Sequence, residues 1–331
     1  MSAEGGTKAV VAALLANTGI AVTKFGAWLL TGASSMLAES IHSVADAGNQ
    51  GLLLIGGRRA EREATEEHPF GYGRERYIYA FIVAIVLFSV GGLFALYEAF
   101  HKYEQVHAGE PNELLESQWK WVPIVVLSVA IVMESFSFRT AIVESNRARG
   151  EAGWVQFVRN SKAPELPVIL LEDLAALLGL VFALVAVGMT LLTGNGYWDV
   201  AGTTAIGVLL VVVAVLLALE TKSLLLGEGA SAAAVTRIRA ALEEHPDIDR
   251  VIHLKTLHLG PEELLVAAKV AVTATDSAQQ VSAAINAAEQ RVRAVEPVAR
   301  VIYIEPDIDV GDSGPHRSVQ ETPAPPAAPA H

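Results

Sequence analysis

Apolar residues dominate the first two-thirds of the chain in six blocks, at about 9–31, 34–57, 77–101, 119–141, 166–193 and 198–225. At 1.5 Å of rise per residue, each block is long enough to cross a hydrocarbon layer about 30 Å thick as a helix. The first block is mostly Ala, Val and Leu, with Lys24 as its one charge. Thr31-Gly-Ala leaves so short a connection that blocks one and two are expected to form a tight helical hairpin. The sixth is nearly all aliphatic after Asp199 and reads as scaffold.

From about Gly227 the pattern becomes that of a soluble fold. Residues 232–244 repeat apolar positions at helical spacing, and 251–259 alternate as a strand. Gly260-Pro-Glu-Glu is a turn, 264–272 a second strand, 277–295 a helix with Asp276 as its cap, and 298–304 a third strand. The order α-β-β-α-β predicts an open two-layer α+β sandwich. The expected organisation is therefore a six-helix transmembrane domain over 1–226, a small soluble domain over 227–310, and a Pro/Ala-rich tail of disordered composition over 311–331.

Composition agrees with this pattern. Apolar residues make up 52% of 331, which with runs of this length places the chain among α-helical polytopic membrane proteins. The formal charge of −12 argues against nucleic acid as a partner. There is no cysteine, so disulfides and thiolate ligands are excluded and any metal site must use His, Asp, Glu or carbonyls. The start, MSAEGGTK, lacks the basic opening and cleavage site of a signal peptide, so the first block is expected to be retained as a span.

The loops carry an orientation signal. Arg58, Arg59, Arg62, Arg74 and Arg76 follow span two, and Arg139, Arg147, Arg149, Arg159 and Lys162 follow span four. The connection after span three instead carries Glu104, Glu110, Glu113 and Glu116, and that after span five has no Lys or Arg. The positive-inside rule puts the two basic loops, and with them both termini, in the cytoplasm. Trp119, Trp121, Tyr197 and Trp198 mark the opposite interface.

Within the spans, one stretch breaks the apolar pattern hardest. Glu39, His42, Asp46 and Asn49 follow one another at spacings of three, four and three, so they share one helical face of span two. A charge near the bilayer centre costs at least about 2.5–3.5 kcal/mol, so such a stripe needs a reason. An imidazole and a carboxylate one turn apart can grip a divalent cation or relay a proton. The alternative is a polar face that hydrogen-bonds to a neighbouring helix. Span five holds adjacent Glu172 and Asp173, which project about 100° apart and cannot both point equally well at one ion. On this reading Asp173 is a ligand, and Glu172 is a second ligand, a proton carrier or a group behind the ligands. Glu98 in span three and Glu134 in span four either face a water-filled path or hydrogen-bond across the bundle.

These features together resemble the cation diffusion facilitator family over nearly the whole chain up to the tail. The specific pieces are His42-x-x-x-Asp46 after Ser35-x-x-Ala38, His68-Pro-Phe-Gly-Tyr-Gly before span three, and Glu172-Asp173-x-Ala175-Ala-x-x-Gly179. The resemblance implies a homodimer that exchanges a divalent metal for protons, with two ligands from span two and two from span five. His42 and Asp46 match the span-two pair. Aligned on Gly179, Asp173 matches the span-five Asp, while Ile169 stands where many relatives have His. Glu172 is the candidate replacement, and Glu-Asp here is similar to the divergent zinc-transporter branch related to the mitochondrial one. A surface metal site of some relatives uses two histidines where this chain has His68 and Tyr72, so His68 is expected to be structural. The soluble domain is similar to the ferredoxin-like, metallochaperone-like module of the family. Its last strand, Tyr303-Ile-Glu-Pro-Asp307, lacks the His that holds regulatory zinc in some relatives, and His245, His253 and His258 read first as structural residues.

The implied activity is proton-coupled export of a divalent cation by alternating access, with His42, Asp46, Asp173 and, less directly, Glu172 and Glu39 meeting the ion. A mixed N/O donor set favours Zn2+, while Mn2+, Fe2+ and Co2+ also suit an oxygen-rich set with one His. Ligands must be deprotonated to bind, so metal entry displaces protons, the counter-ion. The expected location is a bacterial inner membrane. Two rivals remain: a metal-binding or metal-sensing membrane protein without transport, and a proton-coupled carrier of another small solute. The spans hold no nucleophile–base pair or metalloprotease motif, which argues against an enzyme.

Overall fold

The computed structural model describes the backbone of residues 2–31, 34–110, 113–116 and 118–308. It describes their side chains except at 2–8, 27–28, 30–31, 34–42 and 113. The chain forms two compact units, one of residues up to Ala230 together with Leu257–Leu264, the other of Ser231–Thr256 with the chain from Leu265 onward.

The first unit is helical. Its elements are α1 (Ser2–Thr31), α2 (Ser34–Ala60), α3 (Glu75–Val86), a π-helical turn (Leu87–Leu93), α4 (Phe94–His107), the short α5 (Glu113–Glu116), α6 (Val122–Arg149), the short α7 (Trp154–Asn160), α8 (Glu165–Thr193) and α9 (Tyr197–Leu226). The rod Glu75–His107 runs without a break through α3, the π turn and α4. Five helices among the described residues are long and apolar enough to cross a membrane: α1, this rod, α6, α8 and α9. The remaining long helix, α2, has 27 residues but is not among them. The cause is in its sequence, since Glu39, His42, Asp46, Asn49 and Gln50 all fall in its first two-thirds.

Neighbouring helices close a ring. α1 packs on α2, α2 on α3, the α3–α4 rod on α9, α9 on α8, α8 on α6, and α6 back on α1. Small residues permit the close approaches that helix pairs in lipid depend on. Gly207 of α9 lies where a Cβ would sit 2.8 Å from the Leu96 side chain and 3.0 Å from its backbone nitrogen. Gly92, in the π turn, would bring a Cβ within 2.7 Å of Val211. The π turn therefore places the buried Gly92 against α9 at a spacing that a larger residue could not occupy. The end of α4 is tied to the start of α9 by Lys102, whose Nζ lies 2.9 Å from the Asp199 carboxylate.

The second unit holds α10 (Ala232–Glu243), α11 (Ala278–Val295), β3 (Val301–Ile308) and most of β1 (Arg250–Gly260) and β2 (Glu263–Val272), whose connecting residues 257–264 group with the first unit. The sheet order is β1-β2-β3. Strands β2 and β3 run parallel, from Leu265 opposite Val301 to Val272 opposite Ile308, and α11 supplies the crossover that a parallel pair requires. Alternate residues of β2, Leu264, Val266, Ala268 and Val270, are buried, as are Ile238 and Leu242 of α10 and Ala284, Ala288 and Val292 of α11. The periods of two and of about 3.6 thus present one apolar sheet face and two apolar helix stripes, the two layers expected from the sequence.

Two details differ from the sequence expectation. The cap of α11 is Ser277 rather than Asp276. The Ser277 hydroxyl accepts the Gln280 amide at 3.3 Å, and the Gln280 side-chain oxygen accepts the Ser277 amide at 2.9 Å. Glutamine three residues after serine completes a reciprocal capping box, which outcompetes a lone Asp. Asp276 instead accepts the Thr273 amide, at 3.1 Å. Strand β3 begins at Val301 rather than 298, because Ala299 and Arg300 donate into a turn at Glu296 and Val298.

Two outcomes test these packing assignments. Gly207→Ala should destabilise the detergent-purified protein by about 1–3 kcal/mol of overpacking, read as a lower unfolding temperature. Gly188→Ala, with nothing within 4 Å of its new Cβ, should leave it unchanged or raise it. In hydrogen exchange, Ser277→Ala should speed exchange of the first-turn amides of α11, consistent with loss of a cap worth about 1 kcal/mol, and Asp276→Ala should do so less.

Candidate cation site between the transmembrane helices

The polar residues that interrupt the apolar spans converge inside the helical ring. Asn49 and Gln50 of α2 point at α8. The Asn49 side-chain amide donates to Glu172 Oε1 at 2.8 Å, and the Gln50 amide donates to Glu172 Oε2 at 2.9 Å. Asn17 of α1 in turn donates to the Gln50 side-chain oxygen at 3.3 Å. One step along α8, the direction changes by about 100°. Asp173 faces α6 and accepts the Ser137 hydroxyl at 2.8 Å. The adjacent carboxylates therefore serve different neighbours, as their angular separation requires. All of these side chains are buried.

Asp46 lies one turn before Asn49 on α2 and is also buried. With Asn17, Lys24, Ser43 and Glu134 it lines a partly open cavity of about 50 Å³, whose remaining wall is Ile20 and apolar residues of α8 and α9. That volume suits an ion or one or two waters rather than an organic solute. Glu134 sits three residues before Ser137 on the same face of α6 and is 1% exposed. Oδ1 of Asp173 and Oε1 of Glu134 are buried without a hydrogen-bond partner, and so is the side-chain oxygen of Asn49. Unpaired buried oxygens in a bundle interior are costly, and an oxygen-seeking cation is a chemical complement to them.

Of the residues singled out in the sequence, the structure brings Asp173, Glu172 and Asn49 into one neighbourhood and sets Asp46 on the wall of the adjoining cavity. Glu39 and His42 belong to α2, but their side chains lie outside the described residues. Among the described residues, no group of three or more His, Asp or Glu side chains stands close enough to hold a metal ion. Glu98 is half-buried and is not part of the cavity wall. Outside the spans, His68 is exposed and meets the Tyr72 ring in a T-shaped contact at 4.7 Å, and the Arg62 guanidinium lies over the Tyr72 ring. His245 accepts the Asp247 amide through Nδ1 at 3.2 Å.

Sequence reasoning passed over Asn17, Gln50 and Ser137, and treated Lys24 only as an isolated charge. Each was visible as a polar side chain in an apolar block. What their spacing could not give was the partner, because the hydrogen bonds join residues 33 to 123 positions apart.

The cation efflux transmembrane domain, as a family, matches residues 10–226 of this chain. A proton-coupled zinc antiporter of mouse mitochondria, SLC30A9, is 33% identical over 259 residues, which cover 78% of this chain and 44% of that protein. Metal tolerance protein C4 of Arabidopsis thaliana is 26% identical over 256 residues, 77% of this chain and 54% of the relative. Magnetosome protein MamB of Paramagnetospirillum magneticum is 25% identical over 187 residues, 55% of this chain and 59% of that protein. The chain thus spans about half the length of the curated relatives it matches. A family match across the six long helices, together with the carboxylates gathered inside their ring, leads to one conclusion: this chain is a multi-pass membrane protein of the cation efflux, or cation diffusion facilitator, family.

Proposed function

We propose that this protein moves a divalent cation, zinc first, across its membrane in exchange for protons, by alternating access and without enzymatic chemistry. The observation that carries the reading is the direct hydrogen-bonded junction of α2 and α8 by Asn49, Gln50 and Glu172, beside a small cavity walled by Asp46 and Glu134. The similarity to a protein named as a proton-coupled zinc antiporter supports the substrate and the counter-ion.

In this reading His42, Asp46 and Asp173 are the ligands, with Glu39 as an accessory carboxylate toward the start of α2. Glu172 becomes a positioning residue. Both of its oxygens already accept amide protons, so it holds α2 against α8 rather than pointing at the ion. A neutral imidazole and ionised carboxylates bind the metal, and protonation of the same groups releases it. With an ordinary His pKa near about 6.5, that competition falls in the physiological range. Mn2+, Fe2+ and Co2+ remain competitors for an oxygen-rich set. The protein is placed as a homodimer in a bacterial inner membrane, with the soluble domain and both termini in the cytoplasm. Its energy source requires a membrane that carries a proton gradient.

The test is cation flux into proteoliposomes with an imposed proton gradient, for zinc, manganese, iron(II) and cobalt. Zinc flux should depend on the gradient and fall to the level of empty vesicles in Asp46→Ala and Asp173→Ala. A wild-type protein that moves none of the four would refute transport, and zinc binding without flux would turn the reading to a sensor. Glu172→Gln should keep zinc binding, in contrast to Asp173→Ala. If the two variants lose binding alike, Glu172 is a ligand after all.

A further inference from the structure

Lys24 has no role in the ligand set, yet it is placed where one is hard to avoid. It sits seven residues after Asn17, two turns along the same face of α1, and only 3% of it is exposed. It lines the cavity together with Asp46 and Glu134. It is the one Lys or Arg among the described buried residues, against the buried carboxylates Asp46, Glu134, Glu165, Glu172 and Asp173. A lysine stem near a helix end can snorkel to the interface, but Lys24 instead turns its length into the bundle. A buried ammonium persists only where carboxylates balance it.

We infer that Lys24 is the tethered counter-cation of the cargo cavity: it neutralises Asp46 and Glu134 when no metal is bound and opposes the entering dication, thereby setting how tightly the site holds its cargo. The inference rests on the transport reading above and deepens it. A cavity whose two carboxylates faced no fixed cation would be strongly anionic in a low-dielectric interior, and would trap a dication rather than pass it on. A fixed positive charge in the same cavity weakens that trap, because Coulomb repulsion between cations falls only as 1/r and is little screened away from water. The neighbouring amide Asn17 keeps α1 in register with α2 through Gln50, so the charge is held in place by the same helix face.

The experiment is zinc titration calorimetry on the full-length protein in nanodiscs, with thermal unfolding measured on the same samples. Lys24→Gln should bind zinc at least about tenfold more tightly than wild type. It should also slow zinc release, and Lys24→Arg should restore wild-type affinity. A lysine that only braces the helices predicts the opposite, a less stable protein that binds zinc equally or more weakly, and that result overturns the inference. Should Lys24→Gln fail to fold, the charge-balanced pair Lys24→Gln/Glu134→Gln is compared with Glu134→Gln alone. Tighter binding in the double variant upholds the inference, and equal or weaker binding overturns it. Absence of saturable zinc binding in the wild type would instead remove the transport reading, and this inference with it. Normal wild-type binding with an unaltered Lys24→Gln affinity removes only the role of Lys24.

Discussion

Charge inside a membrane is the constraint on which the rest of this molecule depends. Among the described residues, five carboxylates (Asp46, Glu134, Glu165, Glu172 and Asp173) and the Lys24 ammonium lie buried in the helical unit, where isolated charges are costly. The structure meets that cost by distribution. Glu172 accepts two amides, Asp173 takes one hydroxyl, Glu165 pairs with Arg76, and Asp46, Glu134 and Lys24 share a cavity. The same hydrogen bonds fasten α1, α2, α6 and α8 together, so the polar interior is both the candidate site and a part of the bundle's own cohesion. Replacing these groups by apolar residues would suit a static bundle.

The ring of helices also explains why small residues gather where they do. Lipid offers the outer faces an apolar solvent, so helix association relies on close packing and hydrogen bonds rather than on hydrophobic burial. Gly92 and Gly207 admit the α3–α4 rod against α9, and the π turn at Leu87–Leu93 changes the facing of that rod partway along its length. A π turn within a helix often marks a functional position. Here it borders the α9 side of the ring, whose residues Ile206 and Leu210 also close the cavity.

In the second unit, the same accounting takes an aqueous form. The parallel β2–β3 pair is bridged by Lys269, whose Nζ lies 3.2 Å from Glu305 and 2.7 Å from Asp307. Such exposed pairs contribute little to stability. The layer is held instead by the buried faces of β2, α10 and α11.

The sequence by itself determined the elements. Six apolar blocks, a helical repeat at 232–244 and a two-residue alternation at 251–259 were readable because period and hydrophobicity are local properties of a chain. It also determined which side chains were out of place: Asp46, Asn49, Glu134, Glu172 and Asp173 stand out against any apolar background. Residues 276–280 show how local competition blurs even a cap, since Asp276 and Ser277 are both good candidates and only the reciprocal bond to Gln280 chooses between them. Partners were beyond the sequence. That Glu172 would be spent on Asn49 and Gln50, that Asp173 would turn to Ser137, and that Lys24 would share a cavity with Asp46 and Glu134 depends on how four helices rotate and pack. Those rotations are fixed by contacts between residues far apart in the chain, and no spacing within one helix encodes them.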